Sequence, residues 1–479
     1  MINFLYIIPE IIIMTVLSFV IVLDSFFSKN NKKISYYFVQ LSLFLCSYYI
    51  IDNFNFLNKN TSNLYNTSIF SNIFKLFITL SLALILHYTY KFLQYFKKYE
   101  SEYFMIALFA LIGMMIMVSS EHLLLLYLGI ELLSLSLYSL ISFNRDSIFS
   151  SEAAIKYYIL GAIASGFLLF GISLIYGLTG SLYYVEISNQ ISSLNFSSSE
   201  YTLHAVGLIF ALTFILISLA FKFGAAPFHM WIPDVYHGSL ITTTLLLSTV
   251  PKIAVFIIII KIINSIFSNL YIFWADILFI LSILSIIVGN VTAIVQTNIK
   301  RMLAYSTIAN IGFILLGIFT GSIEGYKAAM FYTITYVLFT IAAFGLLSEL
   351  KNGESPIEEI TNLSGLNKQY PILAFIFMLL MLSFIGIPPL LGFHAKLFII
   401  QSLILTSNIF LSIFAVLMTV IGSYYYLRVI KVMYFDNLDN KLSCISTSYI
   451  TYLYVFLLVL LGLFPDILGQ ISYYSISNL

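Results

Sequence analysis

FILISLAFKFGAAPFHMWIPDVYHG, residues 214–238, begins as a lipid-compatible helix and stops being one halfway. The run to Phe223 is apolar, yet it carries Lys222, and Pro227 and Pro233 then prevent continuous helix. Two further stretches share the feature: LLLSTVPKIAVFIIII (245–260) holds Lys252, and GIPPLLGFHAKLFII (386–400) holds Lys396. A carboxylate joins them, because Glu131 lies in the middle of LLLLYLGIELLSLSLYSL (123–140). An ionisable group at a bilayer centre costs roughly 2.5–3.5 kcal/mol on insertion scales, so it needs a partner, a wet cavity or a task. Four such groups in one chain suggest a proton or ion path.

The composition agrees with burial in lipid. The 479 residues are 61% hydrophobic and 9% charged, with a mean hydropathy of +1.00; an ordinary soluble domain is excluded. A net charge of +1 leaves no basic surface for nucleic acid. Cys46 and Cys444 match no metal or haem spacing and read as small packing residues. The first 27 residues lack a basic n-region and a small-residue cleavage site, so they read as a first span rather than a signal peptide. Heavy use of Phe, Tyr, Ile and Asn points to an AT-rich bacterial or organellar genome.

Apolar runs of about 20 residues fall near 3–24, 35–52, 69–90, 103–119, 122–143, 155–179, 203–224, 239–263, 272–294, 302–321, 327–349, 371–403, 408–434 and 449–475. The expected fold is an all-α polytopic membrane protein of about fourteen spans. The odd-numbered connections and adjoining ends hold Lys29, Lys32, Lys33, Lys91, Lys97, Lys98, Arg145, Lys300, Arg301, Lys351, Lys368, Arg428, Lys431 and Lys441. The even-numbered ones hold Lys59, Lys75, Lys261 and Lys327, so both termini should face the periplasm or intermembrane space.

Spans seven and twelve look interrupted, the latter by Gly386, Pro388, Pro389 and Gly392, and a lysine adjoins each break. Lys222 precedes Pro227 whereas Lys396 follows Pro388, a pairing that an inverted-topology repeat generates. The division expected is an N-terminal three-helix segment (1–100), a first five-helix half-channel repeat (101–265), a second, inverted one (266–435) and a C-terminal helix (436–479). Simple kinking is the bland alternative. No connection is long enough for a soluble domain.

Burial penalises an ammonium, while a carboxylate about 6 Å away in an effective dielectric near 20 favours it by about 2.8 kcal/mol. Glu131 and Lys222 therefore read as a switchable ion pair, with a static packing pair as the alternative. Lys252 and Lys396 continue the chain of sites. Lys156, near the start of span six, reads equally as a relay group or as a lysine snorkelling to the interface. His229, His237 and His394 flank the breaks, as relay groups or caps of loosened backbone; His87, His122 and His204 read as interface residues. Glu10 and Asp24 are placed to meet headgroups or neighbouring subunits, and Asp234 to support the loop after span seven. No metal constellation is visible, and no phosphate loop follows a strand, since no strand is expected.

LGIELLSLSLYSL (128–140), SSEAAIKYYILGAIASGFLLFGISLIYGLTGSL (150–182), FKFGAAPFHMWIPDVYHG (221–238), TNIKRMLAYSTIANIGFILLG (297–317) and GIPPLLGFHAKLFIIQ (386–401) resemble the antiporter-like membrane subunits of respiratory complex I, the proton-pumping NADH:quinone oxidoreductase. The likeness covers almost the whole chain and is weaker in the first hundred residues. It places the family's span-five glutamate on Glu131 and its lysines of spans six, seven and eight on Lys156, Lys222 and Lys252. The terminal channel lysine falls on Lys396. Lysine there fits the N-type branch (subunit 2 of mitochondria) better than the M-type branch, which has glutamate, and the chain lacks the L-type lateral helix.

The resemblance implies a proton-pumping module that binds no redox cofactor, with NADH, FMN, Fe–S clusters and quinone in other subunits. Its expected partners are lipids, the neighbouring subunit M (mitochondrial 4) and the small subunits K (4L) and J (6), in a bacterial inner membrane or, alternatively, a mitochondrial one. Two rivals stand beside this reading: a multisubunit cation/proton antiporter or membrane-bound hydrogenase subunit, and a purely structural scaffold.

Overall fold

The computed structural model describes residues 7–26, 33–54, 64–96, 100–193, 203–353, 355–437, 442–444 and 449–477. Lys29, Lys32, Lys59, Lys97, Lys98 and Lys441 of the charge comparison lie outside the described residues. The chain opens with α1 (Ile8–Phe26), α2 (Lys33–Asp52), α3 (Ile69–Tyr95), α4 (Glu100–Ser119), α5 (Leu123–Ile141) and α6 (Ile148–Thr179). A short α7 (Tyr184–Ser192) precedes α8 (Leu203–Phe223), α9 (Trp231–Gly238), α10 (Ile241–Leu247), α11 (Val250–Ser265), α12 (Tyr271–Ile294), α13 (Ile299–Phe319) and α14 (Ile323–Glu349). The last third holds α15 (Leu366–Gln369), α16 (Pro371–Ile385), α17 (Leu391–Leu405), α18 (Ile409–Phe435), α19 (Tyr449–Leu463) and α20 (Asp466–Ile476).

Twelve of these segments are long and apolar enough to cross a bilayer alone, α10 and α11 counting as one. The connections sort themselves onto two faces. On one, Glu121 N donates to Leu64 O and Leu123 N to Leu182 O, joining connections two, four and six. On the other, Lys300 Nζ donates to His237 O at 2.7 Å, Ile299 N to Glu358 O and Gly365 N to Val432 O, joining connections seven, nine, eleven and the end of span thirteen. Among the described residues, no helix long enough to span joins one of these connections to another on the same face. Because α14 ends and α18 ends on this odd face, α16 and α17 together make one passage between them. By length and composition the described residues give twelve spans, thirteen with α19 and α20 as one bent span, beside the shorter α16 and α17, against about fourteen expected.

Three local features differ from the expectation. Span eight is broken between α10 and α11: Pro251 lacks the N–H that Leu247 O would accept, and Thr249 leaves helical geometry at φ −120°, ψ −89°. The last passage is bent by 78° between α19 and α20, where Pro465 interrupts the ladder. Strands do occur: β1 (Leu350–Asn352), β2 (Ser355–Pro356) and β3 (Leu442–Cys444) form a small antiparallel sheet on the odd face.

Several helix pairs pack backbone to backbone through glycine. A Cβ on Gly113 of α4 would lie 2.7 Å from Leu133 N of α5, and one on Gly289 of α12 would lie 2.5 Å from Ala309 N of α13. Without a hydrophobic force between helices in lipid, such close approach supplies the dispersion and hydrogen-bonding contacts that hold a bundle. Gly166 of α6 faces open space instead. Gly289→Val should therefore cost about 1–3 kcal/mol of overpacking and lower the assembled protein on a native gel, while Gly166→Ala leaves it unchanged.

Candidate functional site

The break in span seven starts at Gly224, whose φ of +92° ends α8. A side chain there would be strained by that φ and would also have to displace Ile232 Cδ1, 2.1 Å from an added Cβ. Ending a helix frees its last carbonyls, and in lipid these need partners. Trp231 Nε1 donates to Phe221 O at 3.0 Å, and Lys252 Nζ donates to Lys222 O at 3.3 Å and Phe223 O at 2.8 Å. Lys252 is 1% exposed, and its ammonium also lies 4.9 Å from the centre of the Trp231 ring.

The break in span twelve repeats this device. Gly386 ends α16 at φ +89°, and Lys396 Nζ donates to Phe384 O at 2.9 Å and Ile385 O at 2.8 Å. In role, Lys396 is therefore the counterpart of Lys252 rather than of Lys222, which the sequence pairing had matched to it. Lys252 reaches its break from the following span, whereas Lys396 reaches back from the second half of its own.

Lys222 has a different partner. Its Nζ donates to Ser134 Oγ at 2.7 Å, and that hydroxyl donates to Ile130 O at 2.7 Å. Glu131 is within electrostatic reach of Lys222, yet among the described residues the two form no direct salt bridge, and Glu131 Oε1 is buried without a hydrogen-bond partner. The expected ion pair is thus open here: Ser134, three residues further along α5, takes the ammonium on the adjoining helical face.

Lys156, 43% exposed, pairs with Glu152 at 2.7 Å and with Asp234 at 2.9 Å; Asp234 also pairs with Arg301 at 3.0 Å. These bonds tie α6 and α13 to α9 and do not join Lys156 to the capped breaks. His229 interacts with the backbone at Pro227, and His237 offers its carbonyl to Lys300 while its ring stands 5.8 Å from Phe149. His394 lies among aromatic rings, edge-on to Phe393 at 5.5 Å and tilted toward Phe398 at 6.2 Å. His87, taken as an interface residue, shares a hydrogen bond with Tyr36 Oη at 3.1 Å.

Several polar residues were not singled out from sequence. Lys300, counted with the interface, is 6% exposed and caps α9 through His237 O and Ser239 O at 2.7 and 3.1 Å. It lines an odd-face cavity of about 210 Å³ with His237 and Glu358. Between the two breaks, Tyr336 Oη donates to Thr307 Oγ1 at 2.9 Å and Tyr332 Oη to Asn310 Oδ1 at 2.7 Å, while Ser306 and Tyr426 share a 2.5 Å bond. A cavity of about 10 Å³ between Asn310, Tyr332, Tyr336, Ser383 and Lys396 is at the lower limit for one water molecule. The signal was present in KRMLAYSTIAN, where Ser306, Thr307 and Asn310 share one face of an otherwise apolar span.

The profile for "NADH:quinone oxidoreductase/Mrp antiporter, TM" matches residues 120–422. NADH-quinone oxidoreductase subunit N of Ruthia magnifica subsp. Calyptogena magnifica is 42% identical over 96% of this chain and 95% of that one. The chain belongs to the NADH-quinone oxidoreductase subunit N family. A chain of respiratory complex I from Thermus thermophilus, solved with bound aureothin, superposes with a TM-score of 0.79 at 28% identity, covering 96% of this chain and 98% of its own. A chain of the Mrp complex from Dietzia sp. DQ12-45-1b shares the fold, with a TM-score of 0.82 at 18% identity and coverage of 99% and 97%.

The capping geometry predicts unequal effects for two lysines of this subunit. Lys252→Met strands two carbonyls at about 1–3 kcal/mol for each buried group, so it should lower assembled complex on a native gel; Lys222→Met, which frees only the Ser134 hydroxyl oxygen, should leave assembly closer to normal.

Proposed function

We propose that Glu131, Lys222, Lys252 and Lys396 are the titratable groups of a proton path through this subunit, driven by quinone reduction in neighbouring subunits. The chain is a membrane subunit of a proton-translocating NADH:quinone oxidoreductase. Carrying the relay reading is one observation: at each of two mid-span breaks a single lysine ammonium holds the freed carbonyls. Tyr236 lies beside Tyr336, and the Tyr336, Thr307, Asn310 and Tyr332 bonds extend toward Lys396. Such hydroxyl and amide groups hand on protons without holding charge.

Uptake at the odd face uses the cavity of His237, Lys300 and Glu358. Lys222 is the switch: a side-chain movement that replaces Ser134 by Glu131 as its partner favours the ammonium, and the reverse releases a proton. Lys156, through Asp234 and Arg301, positions the break. Redox groups, NADH, FMN, Fe–S clusters and quinone, belong to other subunits, and the flanking partners are subunits of types M, K and J together with lipid.

The residue ranges 101–265 and 266–435 act as two inverted half-channels. Supporting this, the first two spans of each pack closely through glycine, as α6 with α8 and α13 with α14 also do, the fourth of each is broken, and Lys222 and Lys396 each face a polar residue of the second span, Ser134 or Asn310. The basic excess supports an odd face toward the cytoplasm of a bacterial inner membrane and termini in the periplasm; a C-terminal alkaline phosphatase fusion should be active, and an inactive one contradicts the orientation.

Lys222→Ala should assemble and lose most NADH-linked proton uptake in inverted membrane vesicles, whereas Lys396→Ala, which strands two carbonyls as Lys252→Met does, should both lower assembled complex and lose uptake per assembled complex; unchanged uptake per assembled complex would refute the relay. Glu131→Gln should slow pumping more than it lowers the amount of complex, a balance that loss of the complex on a native gel would contradict.

A further inference from the structure

The even face holds a second set of buried charges that the path above does not use. Glu10 of α1 and Lys75 of α3, assigned from sequence to the headgroup region and a helix end, are 2% and 0% exposed and pair at 2.6 Å. Tyr65 closes a triangle with them: its hydroxyl donates to Glu10 Oε1 at 2.5 Å and accepts from Lys75 Nζ at 2.8 Å. The Cys46 thiol of α2 lies against the same turn, donating to Pro9 O at 3.8 Å. Glu10 Oε2 and both side-chain polar atoms of buried Asn72, one turn before Lys75, have no hydrogen-bond partner among the described residues. A lock built only for packing pairs its buried polar atoms, because each orphan costs about 1–3 kcal/mol.

The cluster touches the helix of Lys252. Tyr65 forms an antiparallel backbone bridge with Ser120, and Asn66 Nδ2 donates to Glu121 Oε1 at 3.4 Å. Those same two residues hold Lys261 of α11, whose Nζ donates to Ser120 O at 2.7 Å and pairs with Glu121 Oε1 at 2.9 Å. Lys261 follows Lys252 by nine residues, about 13.5 Å along the helix at 1.5 Å per residue. It is 13% exposed and Glu121 19%, so this pair stands between the buried cluster and the even face.

We propose that Glu10, Tyr65 and Lys75 form a second proton-holding site, which exchanges protons with the Lys261–Glu121 pair at the even-face end of the Lys252 helix. The inference rests on the proton path proposed above. Lys75 passes a proton to the Tyr65 oxygen as the Tyr65 proton passes to Glu10. One O–H bond forms at Tyr65 while the other breaks, Lys75 becomes an amine and Glu10 a carboxylic acid, and the net charge stays zero. A further proton given up by the Lys261 ammonium to Lys75 makes the site +1 and leaves Lys261 an amine beside the Glu121 carboxylate; release of a proton from Glu10 restores the ion pair, and Lys261 regains its proton from the even face. Cys46, Glu121 and Lys261 are the other titratable groups facing it, so the charge on Lys261 sets how readily the extra proton is held.

The test uses the assembled complex in inverted membrane vesicles and reads protons taken up per NADH oxidised. Glu10→Gln with Lys75→Met removes both charges together, which leaves no unpaired buried ion. Tyr65→Phe keeps the direct ion pair and removes only the shuttling hydroxyl. With assembly and NADH oxidation retained, both should lose part of the proton yield per NADH, a ratio that a packing role does not move. A normal ratio in Tyr65→Phe overturns the proposal, including where the double variant fails to assemble. Lys222→Ala in the same vesicles separates the two readings: normal pumping there defeats the main path, whereas lost pumping there beside a normal Tyr65→Phe ratio defeats only the second site.

Discussion

A carbonyl freed inside a bilayer must find a donor, and most of this structure follows from how two freed pairs are satisfied. Water is not there to accept the role, so an interrupted span survives only where the protein supplies the donor. At Gly224 and Gly386 that donor is a lysine ammonium. The arrangement offsets two costs at once: the break pairs its backbone, and the charge gains two acceptors that partly replace its hydration. It also makes the backbone sensitive to the proton, because a neutral amine donates to a carbonyl more weakly than an ammonium does.

Around these breaks the rest of the bundle is built for closeness rather than for apolar burial. Glycine brings α4 onto α5 and α12 onto α13, and the central spans α10, α11, α13 and α14 are almost wholly enclosed. Enclosure is what lets hydroxyls and amides such as Tyr332, Asn310 and Thr307 bond one another instead of solvent. Charges near the rims behave differently: the Lys156, Asp234 and Arg301 bonds are part-exposed and fix α6 and α13 to the short helix α9, where screening keeps each such bond weak.

Legibility was uneven for physical reasons. Span positions were readable because lipid demands about 20 apolar residues in a row whatever the neighbours do. The proline breaks in spans seven and twelve were readable because proline removes its own N–H locally. The break before Pro251 was masked by the apolar run around it, and the bend at Pro465 by the same uniformity. Lys75 and Glu10 looked like rim residues because each lies near a span end; only the packing of α1 on α2 and α4, with Tyr65 against both charges, buries them as a pair.

The chain by itself determined the membrane class, the approximate number of passages, and Lys222, Lys252, Lys396 and Glu131 as charges out of place, since cost in lipid depends on residue type and depth alone. Which partner each charge meets was a matter for tertiary structure. Helices that are distant in sequence set Ser134 rather than Glu131 against Lys222 and bring Lys252 to the carbonyls of α8. They also give Lys252 and Lys396 the same role at two different breaks, because hydrogen bonds are decided over distances of about 3 Å, a scale on which sequence spacing says nothing about separate spans.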